Sequence, residues 1–172
     1  MGFSITSAAG GGYCLDESSD ALSEAGISMN LTTQYAAQHL CVLSTVDSTN
    51  NYLKQRAADL PHGYAVVADC QTAGRGRLGR SFVSPSGSGI YISLLLRPNI
   101  PLERMHLMTV GAAIAACEAI QETAGFTPDI KWVNDVLMHG KKLCGILTEA
   151  SIEAETGQLS YVIVGIGLNV RT

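Results

Sequence analysis

Apolar positions along this chain recur with two periods, every second residue in several short runs and every third to fourth residue in one long run. Leu40-Cys41-Val42-Leu43 predicts a strand, and Asp47 or Ser48 is placed to cap a helix running to about Leu60, where Pro61-His62-Gly63 stops it. Tyr64 to Asp69 predicts a buried strand. Gly89 to Leu96 predicts another, with Ile90, Ile92, Leu94 and Leu96 on one face. Pro101 opens the longest helix, expected to reach about Ala124 ahead of Gly125. Its Met105, Met108, Ala112, Ile114 and Ile120 make it apolar nearly all round, so it is expected to pack centrally. Residues 128–170 predict strands joined by tight turns at His139-Gly140 and at Glu155-Thr156-Gly157. Helices followed by sequential hairpins give an α+β fold with a mixed, largely antiparallel sheet, and exclude a doubly wound parallel sheet.

The final run, Tyr161 to Asn169, carries a further signal. A period of two puts Gly165, Gly167 and Asn169 on one face and Val164, Ile166 and Leu168 on the other. One face of a good strand is thus bare, leaving room for a ligand with Asn169 as a polar reader, or for tight packing against a neighbouring element.

Composition narrows the picture. At 172 residues and 47% hydrophobic, the chain can bury one core, and its net charge of −4 gives no general attraction to nucleic acid. Five scattered cysteines form no C-x-x-C pair, which points to a reduced cytoplasmic compartment rather than a disulfide framework. No stretch reaches the roughly 18 apolar residues of a membrane span.

Against this acidic background, Gly74-Arg75-Gly76-Arg77-Leu78-Gly79-Arg80 stands out as a local basic site. Its glycines let backbone N–H groups approach a polyanion while the guanidinium forks bind its oxygens, which is phosphate chemistry. A solvated, RNA-touching loop is the bland alternative. Lys131 lies between Ile130 and Trp132, where a buried lysine would be costly unless paired with an anion; an edge-strand lysine is the structural alternative. Asn134-Asp135 reads as a turn pair or as polar ligands.

Five segments in order resemble the catalytic domain of biotin protein ligases. They are Asp47-Ser48-Thr49-Asn50, Gln71 to Arg80, Lys131-Trp132-Val133-Asn134-Asp135, Lys142 to Leu147, and Gly165-Ile166-Gly167-Leu168-Asn169. The resemblance implies an ATP-dependent ligase that makes biotinyl-5'-adenylate and passes biotin to a lysine of a biotin carboxyl carrier protein. It implies Lys131 at the biotin carboxylate and the phosphate, with Arg75 and Arg77 as its catalytic companions. Gly74, Gly76 and Arg80 complete a loop expected to be mobile until it closes over the adenylate. Ser48, Thr49, Asn50 and Gln71 are implied as biotin contacts, Asn134 and Asn169 as nucleotide contacts, Asp135 as the ligand of Mg²⁺, and Phe82 as a shield for the intermediate. Val133 departs from the family's usual proline, which loosens the expected placement of Asn134.

Gly11-Gly12-Tyr13-Cys14-Leu15 is similar to the last strand of the winged-helix domain found ahead of the catalytic domain in ligases that are also repressors. Residues 1–40 are accordingly expected to be a tail or linker with one short helix, a winged-helix remnant. Residues 41–172 are expected to be a catalytic domain incomplete at its C-terminus. DNA is then a partner only of a protein carrying the whole winged helix, and a homodimer is a further open assignment. Rival readings are a lipoate or octanoate enzyme of the same fold family and a non-catalytic biotin- or nucleic-acid-binding remnant.

Overall fold

The computed structural model of the protein describes residues 5–8, 10–15 and 21–171. Near the N-terminus, β1 (Ile5–Ala8) and β2 (Gly12–Leu15) form an antiparallel hairpin with Ile5 opposite Leu15. The strand expected over residues 11–15 is therefore one arm of a two-stranded ribbon. Residues 16–20 of the expected linker lie outside the described residues. After them come two short helices where one was expected, α1 (Glu24–Ser28) and α2 (Gln34–Gln38). Ser23 and Thr33 cap them by accepting from the N–H groups of Gly26 and Ala36.

The body is a seven-stranded sheet. Its strands are β3 (Leu40–Val46), β4 (Tyr64–Gln71), β5 (Gly89–Leu96), β6 (Asp129–Lys131), β7 (Asp135–Met138), β8 (Lys141–Ile152) and β9 (Leu159–Asn169). They lie in the order β3-β4-β5-β9-β8-β7-β6, and only β3 and β4 run parallel. A parallel pair needs a crossover, and α3 (Thr49–Arg56) supplies it. Glu24 of α1 accepts from the N–H of Val42 on the outermost strand, which ties the first helix to the sheet edge.

The two faces of the sheet hold separate cores. On one, Leu53 of α3 and Ala57 at its C-cap pack with Val66, Leu95 and Ile163. On the other, Ala113 and Ile120 of α4 (His106–Ala124) pack with Val136, Cys144, Ile146, Val162 and Val164. Alternation along β9 feeds both cores from one strand, Ile163 to the first and Val162 and Val164 to the second. Complete burial of a side chain such as Leu53 stabilises the fold by about 2 kcal/mol.

Three local expectations need correction. The helix after Ser48 ends at Arg56 rather than near Leu60: the Ala57 carbonyl would need an N–H from residue 61, which is proline, and is taken by the Arg97 guanidinium instead. The long helix starts at His106 after a 3-10 turn over Leu102–Arg104. It does not pack centrally: only Thr109, Ala113 and Ile120 are buried, and Leu107 and Ile114 on its outer side are each 46% exposed. On β5 the buried residues are Tyr91, Ser93 and Leu95, whereas Ile90 on the more apolar face is exposed. That alternation puts Ser93 beneath the candidate site.

Candidate functional site

Three segments meet on the α3 face of the sheet. The first is the start of α3. Ser48, Thr49 and Asn50 are all buried, and Ser48 makes no side-chain capping bond. Asp47 and Asn51 make the polar contact here instead, with Asn51 Nδ2 donating to Asp47 Oδ2 at 3.0 Å. That hydrogen bond is the main reason the Asp47 carboxyl sits below its ordinary range. Beneath them runs a connected set of polar side chains. Thr49 donates both its N–H and its hydroxyl to Gln71 Oε1, at 2.9 and 3.1 Å, and Gln71 Nε2 donates to Ser84 Oγ at 2.9 Å. The Ser93 hydroxyl lies 2.7 Å from Thr49 Oγ1 and 2.6 Å from Asn50 Oδ1. With one proton, it serves these two acceptors in turn.

The second segment is the glycine-arginine loop. It forms a small hairpin, with Gly76 N–H donating to Arg80 O at 2.7 Å and Phe82 N–H to Gly74 O at 2.8 Å. Leu78 stands at its tip, 91% exposed with φ 54°. Arg75 Nη1 donates to Asn51 Oδ1 at 2.9 Å and is 3.1 Å from Glu149 Oε1, while Arg77 Nη1 donates to Asn134 Oδ1 at 2.8 Å. Protein oxygens thus engage the side chains of Arg75 and Arg77. Arg80 is exposed and enters through its backbone alone, and buried Gly74 is required because a Cβ there would overlap Phe82 O and Ser84 Oγ.

The third segment is the pair of strands β8 and β9, whose glycines form the floor. A Cβ on Gly165 would run into Asn50 Oδ1, and one on Gly167 would come within 2.5 and 2.6 Å of the Phe82 ring. A Cβ on Gly145 would meet Lys142 Cε at 2.9 Å and Phe82 Cε2 at 3.2 Å. Of the two readings of the bare face, the structure displays close packing by Asn50 and Phe82, beside an open cleft. The cleft is lined by Ser48, Thr49, Asn50, Gln71, Arg75, Gly76, Arg77, Phe82, Asn134 and Lys142 over that floor.

Lys131 is not among these residues. It is exposed, at the end of the edge strand β6, so the expected buried and anion-paired lysine is not found there. Val133 lies in the tight connection from β6 to β7 rather than within a strand, and the Trp132–Val133 peptide is cis. The lysine in the cleft is Lys142. A bulge aims it. Strict alternation would put Lys142 on the α4 face with Cys144 and Ile146, but Val136 pairs with Cys144 while Leu137 pairs with Lys142, so Leu143 is the extra residue. Lys142 is thereby turned to the face of Gly145 and Leu147, with Nζ 2.8 Å from Asp135 Oδ1. That same oxygen accepts from Asn134 Nδ2 at 2.9 Å.

Asn169 lies outside the main cleft. It lines a second opening with Met138, His139, Lys141, Lys142, Leu143 and Val170, and Lys142 thus borders both. Asn169 Nδ2 donates to Lys142 O at 3.3 Å. Cys144, beneath this region and fully buried, has its thiol pushed up to about 12, chiefly by burial, and is inert as a nucleophile.

The cleft therefore joins an anion-accepting half to a neutral, hydrogen-bonding half. Arg75, Arg77 and Lys142 face the carboxylates of Glu149 and Asp135, a surplus of one positive charge. Thr49, Asn50 and Gln71 provide uncharged donors and acceptors alongside it.

Comparison with known proteins gives this arrangement a lineage. The model of the biotin/lipoate A/B protein ligase family matches residues 25–169. The bifunctional ligase/repressor BirA of Bacillus subtilis is 44% identical over 173 residues, covering 99% of this chain and 52% of that protein. Its Escherichia coli counterpart is 32% identical, covering 98% of this chain and 51% of that protein. Among solved structures, the biotin protein ligase from Aquifex aeolicus in complex with biotin and ATP matches with a TM-score of 0.65 and 38% identity, over 78% of this chain and 53% of that one. The chain spans about half the length of the curated relatives it matches. With the family model matching from α1 to the end of β9, the chain belongs to the biotin/lipoate A/B protein ligase family.

Proposed function

We propose that the chain carries the adenylate-forming site of a biotin protein ligase. The observation that carries this reading is the pairing of a cationic half, Arg75, Arg77 and Lys142, with a neutral amide and hydroxyl half, Thr49, Asn50 and Gln71, in one cleft. A urea-bearing ring needs the second half, and a carboxylate approaching a phosphate needs the first. The names of the relatives, and the biotin and ATP bound in the Aquifex aeolicus structure, point the same way.

In this reading the biotin carboxylate attacks the α-phosphorus of ATP, the bond to the bridging oxygen breaks, and pyrophosphate leaves with the electron pair. The amine of a carrier-protein lysine then attacks the acyl carbon of biotinyl-5'-adenylate and expels AMP. Lys142, rather than Lys131, neutralises the two anions as they meet. Arg75 and Arg77 hold phosphate oxygens, and Phe82 screens the mixed anhydride from water. Asp135 offers a single carboxylate whose Oδ1 is already shared by Lys142 and Asn134. It suits Mg²⁺ arriving on ATP, with phosphate and water as its other ligands, better than a resident ion, and no metal-holding cluster of His, Cys, Asp or Glu occurs among the described residues.

The β1–β2 hairpin fits the end of a winged-helix domain, with residues 1–40 leading to a catalytic domain over 41–172; DNA binding is then a property of a longer protein. A cytoplasmic enzyme is consistent with the unpaired cysteines Cys41, Cys70, Cys117 and Cys144, and no helix among the described residues is long and apolar enough to cross a membrane.

The test is pyrophosphate release from MgATP with biotin, octanoate and lipoate supplied separately, followed by labelling of a carrier domain. Release with biotin alone is expected. Release with octanoate or lipoate and none with biotin would reassign the substrate.

A further inference from the structure

Glu149 belongs to none of the expected site residues, yet it is bonded to both halves of the cleft. It follows Gly145 and Leu147 at a spacing of two on β8, so its side chain rises from the glycine floor. Oε1 lies 3.1 Å from Arg75 Nη1, and Oε2 accepts from Asn50 Nδ2 at 2.9 Å. The carboxylate is 21% exposed, and Asn50 is 3% exposed. Asn50 is held from its other side by the Ser93 hydroxyl, so Glu149 closes a chain from the loop arginine to the buried polar set beneath α3.

We propose that Glu149 is a positioning residue that sets the phosphate-facing arginine and the ring-facing amide together. This rests on the reading of the cleft as an adenylate-forming site. The chemistry of the two contacts requires a carboxylate. Both partners are donors, and only a group with two acceptor oxygens meets both at once. A glutamine in its place can accept from one partner, but then turns its own NH₂ toward the other.

Glu149 does not use up the arginine it holds. Glu149 and Asn51 both engage Nη1, and among the described residues no hydrogen bond takes Arg75 Nε or Nη2. The guanidinium is therefore oriented with donors to spare for a phosphate. A competitor for the anion site would instead be expected to occupy both arms of the fork.

The experiment measures the affinity of the full chain for MgATP and for biotin, separately, by calorimetry in wild type, Glu149→Gln, Arg75→Ala and the double variant, with thermal unfolding as a check of folding. Glu149→Gln should weaken MgATP binding about fivefold to tenfold and biotin binding by at least about threefold. The MgATP effect should vanish in the Arg75→Ala background, which a purely structural role would not produce. Unchanged or tighter MgATP binding in a folded Glu149→Gln chain overturns the positioning role, as does an effect of equal size with Arg75 removed. Wild type that binds MgATP but releases no pyrophosphate with biotin refutes the proposed substrate alone, and Glu149 is still judged by the MgATP affinities. Wild type that binds neither ligand overturns both.

Discussion

Replacing the two floor glycines of β9, Gly165 and Gly167, with alanine should be costly at the first and nearly neutral at the second. Alanine is the better strand residue, and by backbone freedom alone each substitution would stabilise the fold by about 0.4–1 kcal/mol. At Gly165 that gain is overwhelmed. The new methyl would run into Asn50 Oδ1 with Asn50 Cγ at 3.0 Å, and Asn50 is 3% exposed with partners on both sides, Ser93 at 2.6 Å and Glu149 at 2.9 Å. Moving it costs about 1 kcal/mol for each bond broken, on top of about 1–3 kcal/mol of overpacking. Gly165→Ala should therefore lose roughly 2–4 kcal/mol in all, a fall in Tm of about 5–15 °C for a chain of this size.

At Gly167 the obstacle is the Phe82 ring, at 2.5 and 2.6 Å from the methyl position. Phe82 is half-buried at the base of an exposed loop, so the ring can swing away into the cleft mouth. Gly167→Ala should stay within about 1 kcal/mol of wild type, because backbone gain and lost ring contact nearly cancel. Urea and thermal unfolding of both variants, each also made with Phe82→Ala, provide the measurement. Phe82→Ala should remove whatever cost Gly167→Ala carries and leave the Gly165→Ala cost in place. Equal losses at the two glycines, or a stabilised Gly165→Ala, would refute the account of how this floor is packed.

Three further outcomes are expected. Lys142→Ala should slow pyrophosphate release roughly a hundredfold, the loss of about 3 kcal/mol of charge stabilisation, while Lys131→Ala stays within about twofold; the reverse ranking would return the role to Lys131. At pH 8, iodoacetamide should modify Cys70 well before Cys144, whose thiol is buried and stays protonated below about 12; labelling at equal rates in the folded chain would contradict that. The Asp69 carboxyl is held below its ordinary range first by the Ser86 hydroxyl and then by the Gly87 N–H, so its stabilising contribution is present above the unfolded value near 3.9 and is lost as pH falls through the lower folded one. Asp69→Asn should accordingly destabilise at pH 7, with the gap to wild type closing below about pH 4 in urea unfolding; a gap that widens on acidification would contradict that sign.

How much of this was legible before folding depends on the range of the interaction. The sheet strands, the His139-Gly140 turn with φ of 49° and 75°, and the bare glycine face follow from local alternation and turn chemistry, and they appear where the pattern puts them. The ends of the helices were misjudged for want of tertiary partners. Arg97, some forty residues on, takes the carbonyls of Ala57 and Leu60 just past the end of α3, and nothing near Ala57 announces it.

The lysines show the limit most clearly. Lys131 sits in an apolar run and looks buried, but β6 is the outermost strand and leaves it in solvent. Lys142 sits beside Lys141 at a hairpin tip and looks like a solvated flank. One extra residue at Leu143 reverses the parity of the strand and sends Lys142 into the cleft. A bulge is a property of two paired strands, so neither strand's sequence displays it alone. Glu149 was hidden for the same reason: its partners are 74 and 99 residues away, and it gains its place only when β8 is laid beneath α3 and the loop. Residue types and local order thus reveal which chemistry the chain can support, while strand register decides which of two lysines and which acid are in position to serve it.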